Sequence, residues 1–155
     1  MIKKRIMIVG PGRSGKSTLA NIFNDVNRLA RRTQDVIYGK YTIDTPSVYL
    51  EMPFNYKYLV ATSQEANVLV CVIDPLTGTT TYPPLFATSF NCIPVGVISK
   101  ADLANEKQIA NAKKYLLELG IEEENIFTLN LLQALEGVKT DELEALLSFR
   151  QHCRI

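Results

Sequence analysis

The sequence predicts a three-layer α/β domain, in which a mostly parallel β-sheet is covered by helices on both faces. Strand-length apolar runs alternate with segments of helical spacing along the 155 residues. Residues 68–73 form a continuous, largely β-branched apolar run, and residues 94–98 form a second apolar strand, as in strands buried inside a parallel sheet. With no repeat, low-complexity tract or linker along its length, residues 1–155 are expected to form a single domain.

The elements of the first half follow from apolar periodicity. Residues 5–9 read as a strand, and residues 18–30 show the spacing of a helix. Residues 36–38 and 40–43 read as two short strands around Gly39, arranged as a hairpin that ends at a turn over residues 44–47. Residues 54–64 are helix-like.

The second half continues the alternation of strands and helices. After the strand at 68–73, a loop rich in Thr, Pro and Gly leads to a short helical piece that ends at residue 90, and the strand at 94–98 follows. A helix with apolar positions from 109 to 119 ends at Gly120, where a C-cap glycine belongs. Residues 125–129 read as the last strand, and Thr140 is placed to cap a final helix with Asp141 and Glu142 in its first turn.

Composition and charge exclude several classes of protein. The chain is 46% hydrophobic and 21% charged, with a formal net charge of +1, so no global field favours nucleic acid or an anionic membrane as a partner. Three scattered cysteines do not make a disulfide framework or a zinc site and are typical of a reducing cytoplasm. The longest apolar run is far too short to span a membrane.

The glycine-rich segment after the first strand is the most informative motif. It fits the phosphate-binding pattern G-x-x-x-x-G-K-[ST] and stands between a predicted strand and a predicted helix, as the mechanism requires. Its backbone N–H groups would point into one concavity, and the helix N-terminus would add partial positive charge. The residues expected to hold the phosphates are Gly10, Pro11, Gly12, Arg13, Ser14, Gly15, Lys16, Ser17 and Thr18.

A magnesium site is expected beside this loop. The Ser17 hydroxyl is placed to ligate Mg²⁺, and the ion needs a carboxylate at the end of a neighbouring strand, which acts through water. Asp44 follows a strand and is the preferred candidate. Asp74 also follows a strand and is the rival, although Asp74 before a proline is typical of a turn.

Two further segments complete the expected nucleotide site. Residues 99–102, Ser-Lys-Ala-Asp, resemble the [NT]-K-x-D element by which GTPases read guanine. The Asp102 carboxylate would accept hydrogen bonds from guanine, and the Lys100 stem would pack on the base. Asp102 favours GTP over ATP as the ligand. Thr33 is a candidate to contact Mg²⁺ and the γ-phosphate, with Lys16 as the other catalytic residue; the alternative is that Thr33 is an ordinary loop residue.

Taken together, these motifs resemble the EutP/PduV family of small, Ras-like P-loop proteins associated with bacterial ethanolamine and propanediol utilisation. The resemblance rests on the P-loop, Arg-Thr-Gln at 32–34, Ile-Asp-Thr-Pro at 43–46, Tyr-Leu-Glu at 49–51 and Ser-Lys-Ala-Asp-Leu at 99–103. It implies a Ras-like fold, a nucleotide ligand, a cytoplasmic setting and, as partners, shell or enzyme proteins of the microcompartments that often house these pathways.

The sequence also departs from the family pattern. The family pattern is Asp-Thr-Pro-Gly-Glu-Tyr, and in this chain Ser47 and Val48 replace its glycine and glutamate. The asparagine of the base-reading element is replaced by Ser99. Val48 stands where Ras-like enzymes carry the glutamine that orients the attacking water, and valine makes no hydrogen bond. The sequence therefore predicts Mg²⁺-dependent binding of GTP or ATP with slow or no hydrolysis. An ATP-dependent phosphotransferase acting on a small metabolite and a non-catalytic assembly protein remain the alternatives.

Overall fold

A computed structural model describes residues 3–26, 35–77 and 82–155. The helices and strands in these ranges are, in chain order, β1 (Arg5–Val9), α1 (Lys16–Phe23), β2 (Ile37–Tyr38), β3 (Thr42–Asp44), α2 (Val48–Glu51), α3 (Tyr56–Ser63), β4 (Ala66–Ile73), β5 (Ile93–Ile98), α4 (Glu106–Glu118), β6 (Ile126–Thr128), α5 (Leu131–Leu135) and α6 (Asp141–Leu147). Short 3-10 helices lie at Pro53–Asn55, Phe86–Ser89, Glu123–Asn125 and Ser148–His152.

The six strands form one sheet in the order β2-β3-β1-β4-β5-β6. Strand β2 is antiparallel to β3, and every other neighbouring pair is parallel. Parallel strands end at the same edge of a sheet, so the segments that follow Val9, Asp44, Ile73 and Ile98 are brought to one rim. This mostly parallel α/β sheet confirms the predicted fold class, and its rim is where such sheets place ligands.

Both faces of the sheet are covered, as a three-layer fold requires. Successive side chains of β1 alternate between the two faces, following the period of two in a strand. Ile6 and Ile8 belong to a buried cluster with residues of α1, α5 and α6. Met7 and Val9 belong to a second cluster, with residues of α2, α3 and α4. The P-loop segment thus leaves a strand that is fixed from both sides.

Helix α1 is shorter than the sequence predicts. The apolar spacing extends the helix to residue 30, but α1 ends at Phe23 and Asp25 takes a left-handed φ of 57°. The side chain of Asn24 accepts a hydrogen bond from the Tyr41 N–H at 2.8 Å and donates one to the Thr42 hydroxyl at 2.8 Å. These contacts tie the helix end to β3, which no local pattern reveals. Residues 27–30 of the predicted helix lie outside the described residues.

Two short helices were not predicted. The segment expected as one helix at 54–64 is α3, and α2 precedes it, separated by Pro53. Helix α5 follows β6 directly; it has five residues, and the Asn130 side chain accepts a hydrogen bond from the Gln133 N–H at 3.2 Å. Helices this short show too few apolar repeats to be recognised by periodicity.

The predicted ends of the longer helices are confirmed. Gly120 follows α4 with a left-handed φ of 94°, and the Thr140 hydroxyl accepts a hydrogen bond from the Leu143 N–H at 3.1 Å at the start of α6. None of the helices in the three described ranges combines the length and the apolar character needed to cross a bilayer.

Candidate functional site

The phosphate-binding loop connects β1 to α1, and its backbone conformation is held by internal contacts. Ser14 is fully buried, and its hydroxyl donates to the Pro11 carbonyl at 2.7 Å. Gly15 has a φ of 100°, and a Cβ at this position would lie 2.8 Å from Leu131 Cδ1 of α5. Only glycine meets both conditions. Arg13 also has a positive φ, 62°, which is uncommon for a residue with a side chain and marks the loop as a strained segment.

Lys16 is the first residue of α1 and lies almost entirely below the surface, with 7% of its area exposed. Its Nζ donates to the Pro11 carbonyl at 3.4 Å, which folds the side chain back over the loop. Burial lowers the pKa of Lys16, and the carboxylates of Asp44 and Glu51 partly oppose this shift. A desolvated ammonium group at the start of a helix is suited to an anion that brings several negative charges.

Ser17 and Asp44 meet at the sheet rim. The Ser17 hydroxyl donates to Asp44 Oδ2 at 2.7 Å, and Asp44, the last residue of β3, is 3% exposed. Thr45 fixes this position, because its N–H and its hydroxyl both donate to the Ile8 carbonyl of β1. A hydroxyl and a carboxylate are the oxygen ligands that Mg²⁺ prefers. The chemistry of this pair therefore fits the metal site expected from the sequence.

Asp74, the rival for the metal, has a different set of contacts. Its Oδ1 accepts from the Leu76 N–H at 2.8 Å, which closes a turn after β4. Its Oδ2 forms an ion pair with Lys100 Nζ at 2.7 Å. Asp74 therefore stabilises the turn and binds Lys100. The carboxylate that contacts the Ser17 hydroxyl in this structure is that of Asp44 and not that of Asp74.

The segment expected to read the base lies beside the phosphate loop. Ser99 is fully buried and bonds the Ile73 carbonyl through both its N–H and its hydroxyl, at 3.0 and 3.2 Å. Lys100 has a φ of 54° and reaches across to the Arg13 carbonyl at 3.0 Å. Asp102 is exposed in the turn that follows. The lysine thus connects two segments that are 87 positions apart in the chain.

Of the other sequence candidates, Thr33 lies outside the described residues. The segment after β6, residues 129–130, adjoins the base-reading turn, because the Ala101 N–H donates to the Leu129 carbonyl at 3.3 Å. Asn130 of this segment caps α5, and the next residue, Leu131, packs against Gly15 of the phosphate loop.

One residue of the site was missed by sequence reasoning. Glu51, at the end of α2, accepts a hydrogen bond from the Gly12 N–H of the phosphate loop at 3.2 Å through its Oε1. Its carboxylate also acts on the pKa of Lys16. Position 51 lies three residues after Val48, which places both on one side of a helical turn. This three-residue spacing was the only sequence signal that pointed to Glu51, and it is informative only once α2 is known to exist.

Comparison with known proteins identifies the family of the chain. Residues 3–148 match the PduV-EutP family, described as ethanolamine utilisation - propanediol utilisation. The propanediol utilization protein PduV of Citrobacter freundii is 30% identical over 148 residues, covering 96% of this chain and 95% of that protein. A probable acetate kinase, EutP of Escherichia coli strain K12, is 36% identical over 129 residues, covering 82% of this chain and 80% of that protein.

Solved structures show the same fold. The elongation factor SelB of Methanococcus maripaludis, in complex with the GTP analogue GPPNHP, matches 99% of this chain with a TM-score of 0.67 at 19% identity. This chain corresponds to 35% of that factor, about a third of its length. The FeoB G-domain of Methanococcus jannaschii matches with a TM-score of 0.61 at 20% identity over 97% of this chain and 98% of that one. This chain therefore has the same fold as these two proteins, a mostly parallel sheet covered by helices on both faces.

Proposed function

Because the chain belongs to the PduV-EutP family of ethanolamine and propanediol utilisation proteins, we propose that it binds a purine nucleoside triphosphate together with Mg²⁺ and hydrolyses it slowly or not at all. GTP is the favoured ligand and ATP the second. The observation that carries the proposal is the loop of residues 10–18, in which Lys16 is desolvated at the start of a helix and Ser17 contacts a buried carboxylate.

Each part of the loop has a separate task in this proposal. The N–H groups of the loop and the N-terminus of α1 hold the phosphates, and Lys16 contacts the terminal ones. Ser17 and, through water, Asp44 hold Mg²⁺, which neutralises charge on the β- and γ-phosphates. Lys100 stays against the loop through the Arg13 carbonyl and offers its stem to the base.

The preference for GTP rests on Asp102. Its carboxylate is exposed at the rim, one turn beyond the buried Ser99, where it can accept from the N1–H and 2-amino groups of guanine. Adenine offers no matching pair of donors. The slow hydrolysis rests on Val48, whose side chain is 44% exposed and has no hydrogen-bonding atom to orient water.

Titration with fluorescently labelled GTP and ATP, with and without Mg²⁺, tests the proposal. We expect binding that weakens when the metal is chelated and that is lost in Lys16→Ala, whereas Lys114→Ala, an exposed lysine on α4, should bind as the wild type does. Asp102→Asn should weaken GTP binding and leave ATP binding unchanged. Failure of the wild-type protein to bind either nucleotide would refute the proposal.

A second candidate function follows from the relatives named as probable acetate kinases. In this alternative, the protein transfers the γ-phosphoryl group of ATP to acetate or a similar acid. Formation of acetyl phosphate, trapped as a hydroxamate, is the direct assay, and the Lys16→Ala protein serves as the blank. From the family we also propose a cytoplasmic location with shell or enzyme proteins of a microcompartment as partners, which co-purification from an induced host would test.

A further inference from the structure

The carboxylate of Glu51, an exposed residue, lies against the phosphate loop. Its Oε1 accepts from the Gly12 N–H at 3.2 Å. A Cβ built on Gly12 would lie 3.7 Å from that oxygen and 3.7 Å from the Ser47 hydroxyl. Ser47 is the N-cap of α2 and Glu51 its last residue, so both ends of this single turn of helix lie close to Gly12.

The same carboxylate is electrostatically coupled to Lys16. Together with Asp44 it opposes the burial that lowers the pKa of Lys16. Lys16 is the residue that the proposed function assigns to the terminal phosphates. The hydrogen bond from the Gly12 N–H places Glu51 beside the phosphate loop, and its charge acts on Lys16, the residue assigned to the terminal phosphates.

Val48 and Glu51 stand on one side of α2, three residues apart. Val48 occupies the position from which Ras-like enzymes orient water, and it carries only methyl groups. Glu51 supplies, one turn later, a hydrogen-bond acceptor that can also take up a proton. The same short helix thus supplies a polar group one turn beyond the usual position, and we expect hydrolysis through it to remain slow.

We infer that Glu51 is the catalytic base of nucleotide hydrolysis in this protein, orienting a water molecule toward the γ-phosphorus. This inference rests on the proposed function. The water oxygen forms a bond to phosphorus while the bond to the β,γ-bridging oxygen breaks, and its electron pair leaves with the nucleoside diphosphate. The water proton passes to the Glu51 carboxylate and from there to the released phosphate or to solvent, so the products are diphosphate, inorganic phosphate and one proton.

This assignment discriminates between the two candidate functions. Water carries a proton that a base can remove, whereas the carboxylate of acetate carries none at neutral pH. A second carboxylate placed beside Glu51 would also be repelled by it. Glu51 therefore favours water over a carboxylic acid as the acceptor of the phosphoryl group.

The test separates binding from chemistry in three variants. Glu51→Gln retains the acceptor for the Gly12 N–H but cannot act as a base, Glu51→Ala removes both, and Glu118→Gln makes the same charge change at the exposed far end of α4. The Kd for labelled nucleotide and the single-turnover rate of phosphate release are measured for each. We expect Glu51→Gln to bind within about twofold of the wild type and to release phosphate about 100-fold more slowly, the lower bound for loss of a general base. Glu118→Gln should match the wild type in both.

Three outcomes would overturn the inference while leaving nucleotide binding intact. Glu51→Gln with the wild-type rate would show that the contact to Gly12 only supports α2. Glu51→Gln with tighter binding and an unchanged rate would show that the carboxylate only competes with phosphate for the loop. Wild-type protein that binds nucleotide but releases phosphate no faster than buffer would exclude any base. Absence of binding by the wild type would instead refute the proposed function.

Discussion

The ion pair between Lys100 and Asp74 joins the base-reading turn to the end of β4, and its strength can be measured by a double-mutant cycle. The two atoms are 2.7 Å apart, and the side chains are 34% and 10% exposed. Exposed pairs couple by about 0.2–1 kcal/mol, and removing one partner of a fully buried pair costs about 3–5 kcal/mol. Because the burial of this pair is intermediate between the two cases, we expect a coupling free energy of about 1.5–2 kcal/mol.

The cycle uses Lys100→Met, Asp74→Asn and the double variant, unfolded in urea and followed by circular dichroism. Each single variant also changes other contacts, such as the bond from Lys100 to the Arg13 carbonyl, and the cycle removes those contributions. The expected result is that the double variant is less destabilised than the sum of the single ones.

The ion pair between α4 and the 3-10 helix at Glu123–Asn125 is a matched control. Lys113 and Glu123 are 2.6 Å apart, a nearly equal distance, but their side chains are 42% and 72% exposed. The same cycle with Lys113→Met and Glu123→Gln should give a smaller coupling, of about 0.2–1 kcal/mol, because solvent screens both charges. Equal couplings for the two pairs would refute the reasoning that burial, and not distance, decides the strength of the contact.

Three further predictions concern stability and are checked by urea or thermal unfolding. Gly96→Ala should lower the free energy of unfolding by about 1–3 kcal/mol, because the new Cβ would lie 2.8 Å from Cδ1 of the fully buried Leu116; an unchanged urea midpoint would contradict this. Thr140→Ala should cost about 1 kcal/mol through loss of the bond from the Leu143 N–H, and Thr140→Ser should retain most of it. Lys16→Met should raise the midpoint at pH 7 and abolish nucleotide binding. Since burial lowers the pKa of Lys16, its charged form is less favourable in the folded protein than in the unfolded chain, and the wild type gains stability as pH rises through that lowered pKa. The difference between the two proteins should therefore shrink at alkaline pH, and a Met variant less stable than the wild type at pH 7 would show that the attraction to Asp44 outweighs burial.

The sequence by itself determined the sheet and the phosphate loop. Strands such as β4 are long, apolar and β-branched, and the loop has a fixed residue pattern between strand and helix, so both are local signals. The cap at Thr140 and the glycine at Gly120 were predicted for the same reason, since a cap depends on residues within one turn. The family resemblance also came from local motifs, and the match over residues 3–148 confirms it.

Only the tertiary structure decided which side chains share the site. The bond between Ser17 and Asp44 spans 27 positions, that between Lys100 and Arg13 spans 87, and that between Gly12 and Glu51 spans 39. No local sequence pattern predicts these three contacts, because they depend on the order in which parallel strands are placed side by side. The sequence therefore preferred Asp44 to Asp74 only on a local turn signal, whereas the fold shows that Asp44 contacts Ser17 and that Asp74 contacts Leu76 and Lys100. The sequence also showed that Val48 replaces the residue that orients water in Ras-like enzymes. The carboxylate of Glu51, by contrast, is placed against the loop by a four-residue helix that is too short to predict.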